Sequence, residues 1–353
     1  MKKINNSIQL TLGLMFFMLL SIPANSQNLS VPMLSPYASI TQRVGISDVT
    51  ITYHSPAVKG RTIWGGVVRS NSIWRAGANN NTTITLTHDA KIEGEEIKAG
   101  TYGLYMYMKP EEVYLILSKY SKSWGTVTPK EDELVLNVPL KMEESPFQEW
   151  LTYEVIDNEP NNTTIALKWE KKQIPFNIEF DVPTIAIENA KAELKGVAGF
   201  SWRGYSQAAY MCLQFDTELE LAEAWIDQSI SMTKNFVNLN AKAQLLTKKG
   251  DKEGAKKVME EAIPLGSPFQ LNNYGYTLLN SGDTKGAIEV FETNVKKNKD
   301  HQFIWGFTDS LGEAYLMDGN KKKALEYYQK AKSLAPENQQ SYLDGVIAKI
   351  MEK

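Results

Sequence analysis

Between residues 49 and 181, apolar side chains occupy every second position along a series of short runs. In the first run, Val49, Ile51 and Tyr53 alternate with threonines, and the outward positions of many runs hold Thr or Tyr. This period is typical of strands that bury one face of a sheet and leave the other in water. Eight or nine such runs are separated by turns rich in Gly, Pro, Asn and Glu. The pattern predicts an all-β antiparallel domain, either a sandwich or a barrel.

From about residue 186 the apolar period changes to three or four and alanine becomes frequent, which predicts paired helices. We expect small residues to let the two helices of a pair approach closely, and a large aromatic to fill the gap between successive pairs. A proline then ends the second helix, because it cannot donate to the hydrogen-bond ladder. Such units recur about every 34 residues. The last unit resembles the tetratricopeptide repeat at every key position, namely Leu311-Gly312, Tyr315, Ala324, Tyr328, Ala331 and Pro336.

The change of period predicts a β domain over residues 27–185, followed by tetratricopeptide-like helical repeats over residues 186–353. About four repeats are expected, stacked into a superhelix whose extended groove binds a protein or peptide partner. The alternative is a structural extension that packs on the β domain. The final segment suits a C-terminal capping helix, since one helical face holds Leu343, Val346, Ile347, Ile350 and Met351.

The first 26 residues have the three parts of a signal peptide. Met1-Lys2-Lys3 is positively charged, residues 8–22 are almost uninterruptedly apolar, and Ala24-Asn25-Ser26 supplies small residues for cleavage before Gln27. A transmembrane anchor is the alternative, but a spanning helix needs about 20 apolar residues. Cys212 is the only cysteine, so neither a lipoprotein anchor nor an internal disulfide is expected. The sequence therefore predicts a periplasmic or secreted protein with no transmembrane segment after cleavage.

Composition narrows the class of partner. The chain is 42% hydrophobic and 22% charged, which is typical of a soluble globular protein rather than a disordered or multi-span membrane protein. The formal net charge is −3, and neither predicted domain carries the basic excess that neutralising phosphates would require. We therefore expect no nucleic-acid partner.

One stretch of the β domain is unlike ordinary strand-and-turn sequence. Tyr53 to Gly65 reads Tyr-x-x-Pro-x-x-Lys-Gly-Arg-x-Ile-Trp-Gly, and Ile-Trp-Arg-x-Gly-Ala-Asn follows at Ile73. Together with Ala99 to Leu104 and Ser123-Trp124-Gly125, these motifs resemble the bacterial family DUF2911 over roughly residues 30–182. The resemblance implies an exported β-rich domain of unknown function, and it implies no activity.

The same stretch supplies the candidate ligand-binding residues. Guanidinium groups hold carboxylates in a fork geometry, and indole faces stack on sugars or cations. If these loops meet at one end of the β domain, they predict a site for a small anionic or sugar-like ligand. The alternative is structural, with the tryptophans in the core and the arginines bound to backbone carbonyls. The six candidates are Lys59, Arg61, Trp74, Arg75, Asn79 and Trp124.

Residues typical of catalysis are sparse. His54, His88 and His301 lack the spacing of a zinc site, and no glycine-rich phosphate loop is present. We therefore predict no metal, no cofactor and no catalytic residue, and interpret the chain as a non-catalytic periplasmic interaction protein. The alternative is an envelope glycan- or anion-directed enzyme, or a carbohydrate-binding module, that uses the Lys59–Arg75 loops. An enzyme of that kind would need a carboxylate that converges with these side chains.

Overall fold

The computed structural model describes residues 32–109 and 112–352. The predicted signal peptide lies outside the described residues. The described chain forms two compact units, a β unit that ends at Glu179 and a helical unit that begins at Phe180. The first helix begins at Val182, where the sequence analysis placed the boundary after residue 185.

Over the residues that the structure describes, the β unit has eleven strands in two antiparallel sheets. One sheet has the order β1-β2-β4-β7-β8-β9 with β3 paired to β7, and the other has the order β10-β11-β5-β6. The strands are β1 Tyr37–Val44, β2 Ser47–His54, β3 Ser72–Trp74, β4 Thr83–Leu86, β5 Ala90–Ile92, β6 Glu95–Ile97, β7 Gly100–Met108, β8 Val113–Ser118, β9 Leu134–Leu140, β10 Glu143–Asn158 and β11 Asn162–Glu179.

The inner faces of the two sheets meet, so the unit is a sandwich. Tyr53 of β2 lies edge-on to Tyr153 of β10, with ring centroids 4.8 Å apart. Val49 and Ile51 of β2 are fully buried between the sheets, while the outward Thr50 hydroxyl lies 2.9 Å from that of Thr41. The predicted antiparallel β domain is therefore confirmed. Apolar and polar residues alternate along β2 because one face of the strand is buried and the other faces solvent.

Strand β7 departs from this alternation. Tyr105 occupies an outward position by sequence, yet it is buried, and its hydroxyl donates a hydrogen bond to the side-chain oxygen of Asn81. The reason is that the chain after β8 covers this part of the outer face. A Cβ on Gly103 would lie 2.5 Å from the carbonyl oxygen of Tyr120, and Ser123 is buried beside Asn81.

The helical unit has ten helices among its described residues. Helices α2 to α9 form four successive pairs, and each pair is joined by three residues, which makes its helices antiparallel. The helices are α1 Val182–Glu193, α2 Trp202–Phe215, α3 Leu219–Met232, α4 Phe236–Lys248, α5 Lys252–Ala262, α6 Pro268–Asn280, α7 Thr284–Lys297, α8 Ile304–Met317, α9 Lys321–Leu334 and α10 Glu337–Met351. The predicted helical repeats are confirmed.

The aromatic position of the repeat packs within its own pair as well as in the buried cluster that includes the next pair. Phe291 of α7 lies against Gly275 of α6, its own pair partner, and a Cβ on Gly275 would lie 2.5 Å from the Phe291 ring. The equivalent ring of Tyr328 lies 3.2 Å from a Cβ on Gly312. The aromatic therefore fills the space above the glycine within one pair, because that glycine leaves room for a ring there.

Helix α10 follows the last pair and packs on it with part of its predicted face. Leu343 and Ile350 are buried in the cluster formed by the last two pairs, and Val346 and Ile347 lie partly buried against it. Met351 was predicted on the same face, but it is 70% exposed because it is the last residue of the helix. No helix among the described residues is long and apolar enough to cross a membrane.

Candidate functional site

The β unit contains a cavity of about 700 Å³, here called the cationic pocket. The loops before and after β3 form most of its wall, and β11 contributes Trp169. Its lining residues are Leu34, Ser35, Pro56, Ala57, Lys59, Arg61, Val67, Arg69, Ser72, Ile73, Trp74, Arg75, Gly77, Ala78, Thr126 and Trp169. Four of these side chains are cationic, and none is a carboxylate.

Arg75 is the cation set deepest in this wall. Its Nη1 atom donates a hydrogen bond of 3.0 Å to the hydroxyl of Thr126. The Nε atom is buried and has no hydrogen-bond partner among the described residues. Burial lowers the pKa of the Arg75 guanidinium, because desolvation disfavours its charged form. The group nevertheless stays protonated near neutral pH.

Arg61 and Lys59 are exposed at the mouth of the cationic pocket. Arg61 donates from Nε to the Val58 carbonyl at 3.1 Å and from Nη2 to the Ala57 carbonyl, so its guanidinium holds this loop together. Lys59 has a left-handed backbone with a φ of 47°. Its backbone N–H donates to the Glu149 carboxylate at 2.9 Å, which leaves its side chain outside that bond.

Trp74 belongs to a buried aromatic cluster and has no exposed stacking face. It is 7% exposed and stacks on Trp169, with ring centroids 5.9 Å apart and an interplanar angle of 18°. Trp64 packs edge-on against both rings, at 6.3 Å from Trp74 and 6.4 Å from Trp169. The expectation that Trp74 stacks on a sugar is therefore corrected, because its ring is buried against the neighbouring indoles.

Asn79 and Trp124 do not line the cationic pocket. Asn79 donates from Nδ2 to the Ser35 carbonyl at 3.3 Å, and the backbone carbonyl of Asn79 accepts from the Gly125 N–H at 2.9 Å. Trp124 is 75% exposed on the loop between β8 and β9, whereas Asn79 lies on the loop between β3 and β4. The structure thus lines the pocket with four of the six predicted residues and places the other two outside its lining.

Three residues of the wall were missed by the sequence analysis. Arg69 lies between the two motif segments, which end at Gly65 and begin at Ile73, and this position next to both motifs was the signal that could have found it. Trp169 lies in an alternating strand, so its position indicated only core packing. Thr126 carries no signal, because its contact with Arg75 spans 51 residues of sequence.

The condition stated for an enzyme is not met at this pocket, since its lining contains no carboxylate. Across the residues that the structure describes, no group of three or more His, Cys, Asp or Glu side chains is arranged to hold a metal ion. The chemistry that this wall offers is the donation of hydrogen bonds and positive charge.

A second cavity, of about 1180 Å³, lies in the helical unit and is here called the repeat groove. It runs between the α4–α5 pair and the α6–α7 pair, with Tyr210 of α2 at its edge. Apolar lining residues alternate with amides, hydroxyls and lysines. The apolar and aromatic ones are Phe236, Val237, Ala243, Ala255, Met259, Ile263, Tyr274, Leu278 and Val290.

Polar groups of the repeat groove fall into two sets. Tyr210 donates from its hydroxyl to the Val237 carbonyl at 3.1 Å and accepts from Asn240 Nδ2 at 3.2 Å; burial raises the pKa of this phenol. Gln244 and Asn273, by contrast, are exposed along the groove. Such amides can donate to and accept from the backbone of a bound peptide.

Comparison with known families agrees with this division of the chain. Residues 35–178 match the family described as a protein of unknown function, DUF2911. Tetratricopeptide repeat families match residues 238–265, which include most of α4 and all of α5, and residues 309–338, which include most of α8, all of α9 and the start of α10. No curated protein matches the chain.

Solved structures resemble the helical part. The structure from a functional characterization of Pseudomonas aeruginosa pilF is 17% identical, covers 44% of this chain and 70% of that chain, and has a TM-score of 0.32. The C-terminal part of a repeat protein from Cytophaga hutchinsonii is 21% identical, covers 44% of this chain and 60% of that chain, and has a TM-score of 0.32. YrrB, described as having an unusual peptide-binding site, is 17% identical, covers 45% of this chain and 81% of that chain, and has a TM-score of 0.29.

The motifs that carry the resemblance fall within the first matched range, and the α4–α5 and α8–α9 pairs overlap the two repeat matches. The first set lies between Tyr53 and Gly125, and the repeat glycine Gly312 and its aromatic partner Tyr328 lie in the last matched unit. The chain therefore carries a DUF2911 domain over residues 35–178, followed by tetratricopeptide repeats within residues 238–338.

Proposed function

We propose that this chain is an exported, non-catalytic interaction protein whose helical repeats bind a segment of a protein partner. Tetratricopeptide repeats support a protein-interaction role. The proposed export rests on the signal-peptide pattern of the first 26 residues. The observation that carries the proposal is the repeat groove, which is roomy, lies between two successive helix pairs, and combines apolar walls with exposed amides.

The chemistry of the repeat groove suits a peptide more than a small polar ligand. Phe236 and Tyr274 pack edge-on with centroids 6.3 Å apart, which forms an aromatic wall against which an apolar side chain can lie. Gln244 and Asn273 flank this wall on α4 and α6. Apolar anchors supply affinity, and hydrogen bonds to the peptide backbone orient the segment.

A capture experiment tests the proposal. The purified chain, immobilised, is exposed to envelope extract of the native bacterium, and bound proteins are identified by mass spectrometry. The Asn273→Trp variant places a bulky ring in the repeat groove and is expected to lose the specific partner. Gln329→Trp is the matched control, because Gln329 is an exposed polar residue on α9 outside the groove.

Two results decide the matter once circular dichroism shows that both variants are folded. A protein retained by the original chain and by Gln329→Trp, but lost from Asn273→Trp, supports binding in the repeat groove. Retention of every captured protein by Asn273→Trp refutes this groove as the binding site.

The cationic pocket favours a second role, carried by the β unit, as a binding site for a small ligand. Its volume lies within the range of small-molecule sites, which is about 300–1,000 Å³. Lys59, Arg69 and Arg75 place positive charge at its mouth and in its wall. The sequence analysis named an anionic or a sugar-like ligand for these loops. An anionic ligand carries negative charge that the cations of the wall can pair with, whereas a sugar is neutral.

A further inference from the structure

The cationic pocket holds positive charge that neighbouring carboxylates do not neutralise. Within residues 32–109 and 112–352, none of its four cationic side chains forms an ion pair with a carboxylate. Glu149 is close to Lys59, but it accepts from the backbone N–H of that residue. A half-buried guanidinium such as Arg75 without a counter-ion is costly, because desolvation is not offset by an opposite charge.

Unpaired hydrogen-bond donors occur in the wall of the cationic pocket and in the aromatic cluster that packs on it. Arg75 Nε, Trp64 Nε1 and Trp169 Nε1 are all buried and have no partner among the residues that the structure describes. Guanidinium and indole nitrogens can only donate, so none of these atoms can satisfy another. Buried polar groups are normally paired, and a cluster of donors alone is complementary to an acceptor that the wall does not supply.

We infer that the cationic pocket binds a small anion with at least two carboxylate or phosphate groups, which rests on the ligand-binding role proposed for the β unit. One oxyanion accepts hydrogen bonds from the Nε edge of Arg75, in the fork geometry that guanidinium groups favour. The second lies nearer the mouth, between Lys59 and Arg69, where both side chains are exposed. The aromatic cluster of Trp74 and Trp169 behind them excludes water and strengthens these contacts.

Isothermal titration calorimetry on the purified full chain tests this assignment with three named probes. Inorganic pyrophosphate represents phosphate ligands, citrate represents carboxylate ligands, and maltose is the neutral sugar. The wall variants are Arg75→Gln and the double variant Lys59→Gln/Arg69→Gln. The matched control is Lys91→Gln, which removes one exposed charge from β5 outside the pocket.

Saturable one-site binding of pyrophosphate or citrate is expected, and whichever anion binds identifies the oxyanion class. Arg75→Gln should weaken it about tenfold or more, because a charge-assisted hydrogen bond is lost. Lys91→Gln should leave the affinity within about twofold, since a distant exposed charge is screened. If circular dichroism shows that Arg75→Gln is unfolded, the double variant, with both changes at exposed positions, decides alone.

The inference is overturned if neither anion binds, or if the folded wall variants bind as tightly as the original chain. Binding of maltose without binding of either anion would keep the ligand-binding role of the β unit and eliminate the anion. Partner capture through the repeat groove is a separate measurement on the helical unit. Failure of one experiment therefore leaves the other result standing.

Discussion

Helices α6 and α7 approach closely at Gly275, so we predict that a larger residue there destabilises the helical unit, and the structure gives the distance from which the cost can be judged. In Gly275→Ala, the new Cβ would lie 2.5 Å from Cε1 of Phe291, whose side chain is fully buried. Carbon atoms rest at about 3.5–4.0 Å, so the ring or the helix must move by roughly 1 Å. The Phe291 ring also lies edge-on to Tyr276 with centroids 5.4 Å apart, which limits where it can go.

The net magnitude is a difference between two effects. Overpacking in a core costs about 1–3 kcal/mol, while replacing a helical glycine by alanine gains about 1 kcal/mol of helix propensity. We expect Gly275→Ala to lower the free energy of unfolding of the helical unit by about 1–2 kcal/mol. Gly312→Ala should be close to neutral, because its Cβ would lie 3.2 Å from the Tyr328 ring and a small shift relieves the contact.

Gly345→Ala is the matched control for helix propensity alone. Gly345 lies inside α10, and a Cβ there meets nothing within 4 Å. It should raise stability by up to about 1 kcal/mol. Urea unfolding followed by circular dichroism at the helical band measures all three variants. The reasoning fails if Gly275→Ala is as stable as Gly345→Ala, because Phe291 would then not pack closely on Gly275.

Three further predictions concern burial, pH and export. Trp74→Ala should destabilise the β unit by about 3–5 kcal/mol in urea unfolding followed by tryptophan fluorescence, whereas the exposed Trp124→Ala should change it by less than about 0.5 kcal/mol; equal effects would contradict the buried cluster. Burial raises the pKa of Asp309 to about 6 from an ordinary 3.8, so its contribution to stability is lost as pH rises through that interval. Asp309→Asn should therefore gain stability relative to the original chain at pH 7.5 but not at pH 4, and the opposite ordering in urea unfolding would refute the assignment. N-terminal sequencing of the protein from a periplasmic fraction should begin at Gln27, and an intact Met1 would contradict cleavage.

Most of the fold could be predicted because it follows from local periodicity. The alternation of Val49 and Ile51 indicates one buried strand face, and the small residues at Gly312 and Ala324 indicate a close helix pair. The prediction for Tyr105 was wrong because a distant segment changed its surroundings. Tyr105 is buried by the chain that follows β8.

The candidate site was predictable only in part. Motif residues Lys59, Arg61 and Arg75 are close in sequence, so a loop cluster was a reasonable expectation, and the structure lines one cavity with them. The sequence left open whether Trp74 is a stacking surface or part of the core, because its stacking partner Trp169 lies 95 residues further along the chain. Sequence spacing does not report which face of an indole is already covered.

The order of residues alone determined where strands and helices form, since each follows from the period at which apolar side chains must leave water. It also determined the two-part organisation and the repeat pairing, which depend on short-range spacing. Only the tertiary structure decided which polar groups share a cavity and which are left without partners. Those properties depend on contacts between distant segments, such as Arg75 with Thr126 and Trp74 with Trp169, that no local pattern encodes.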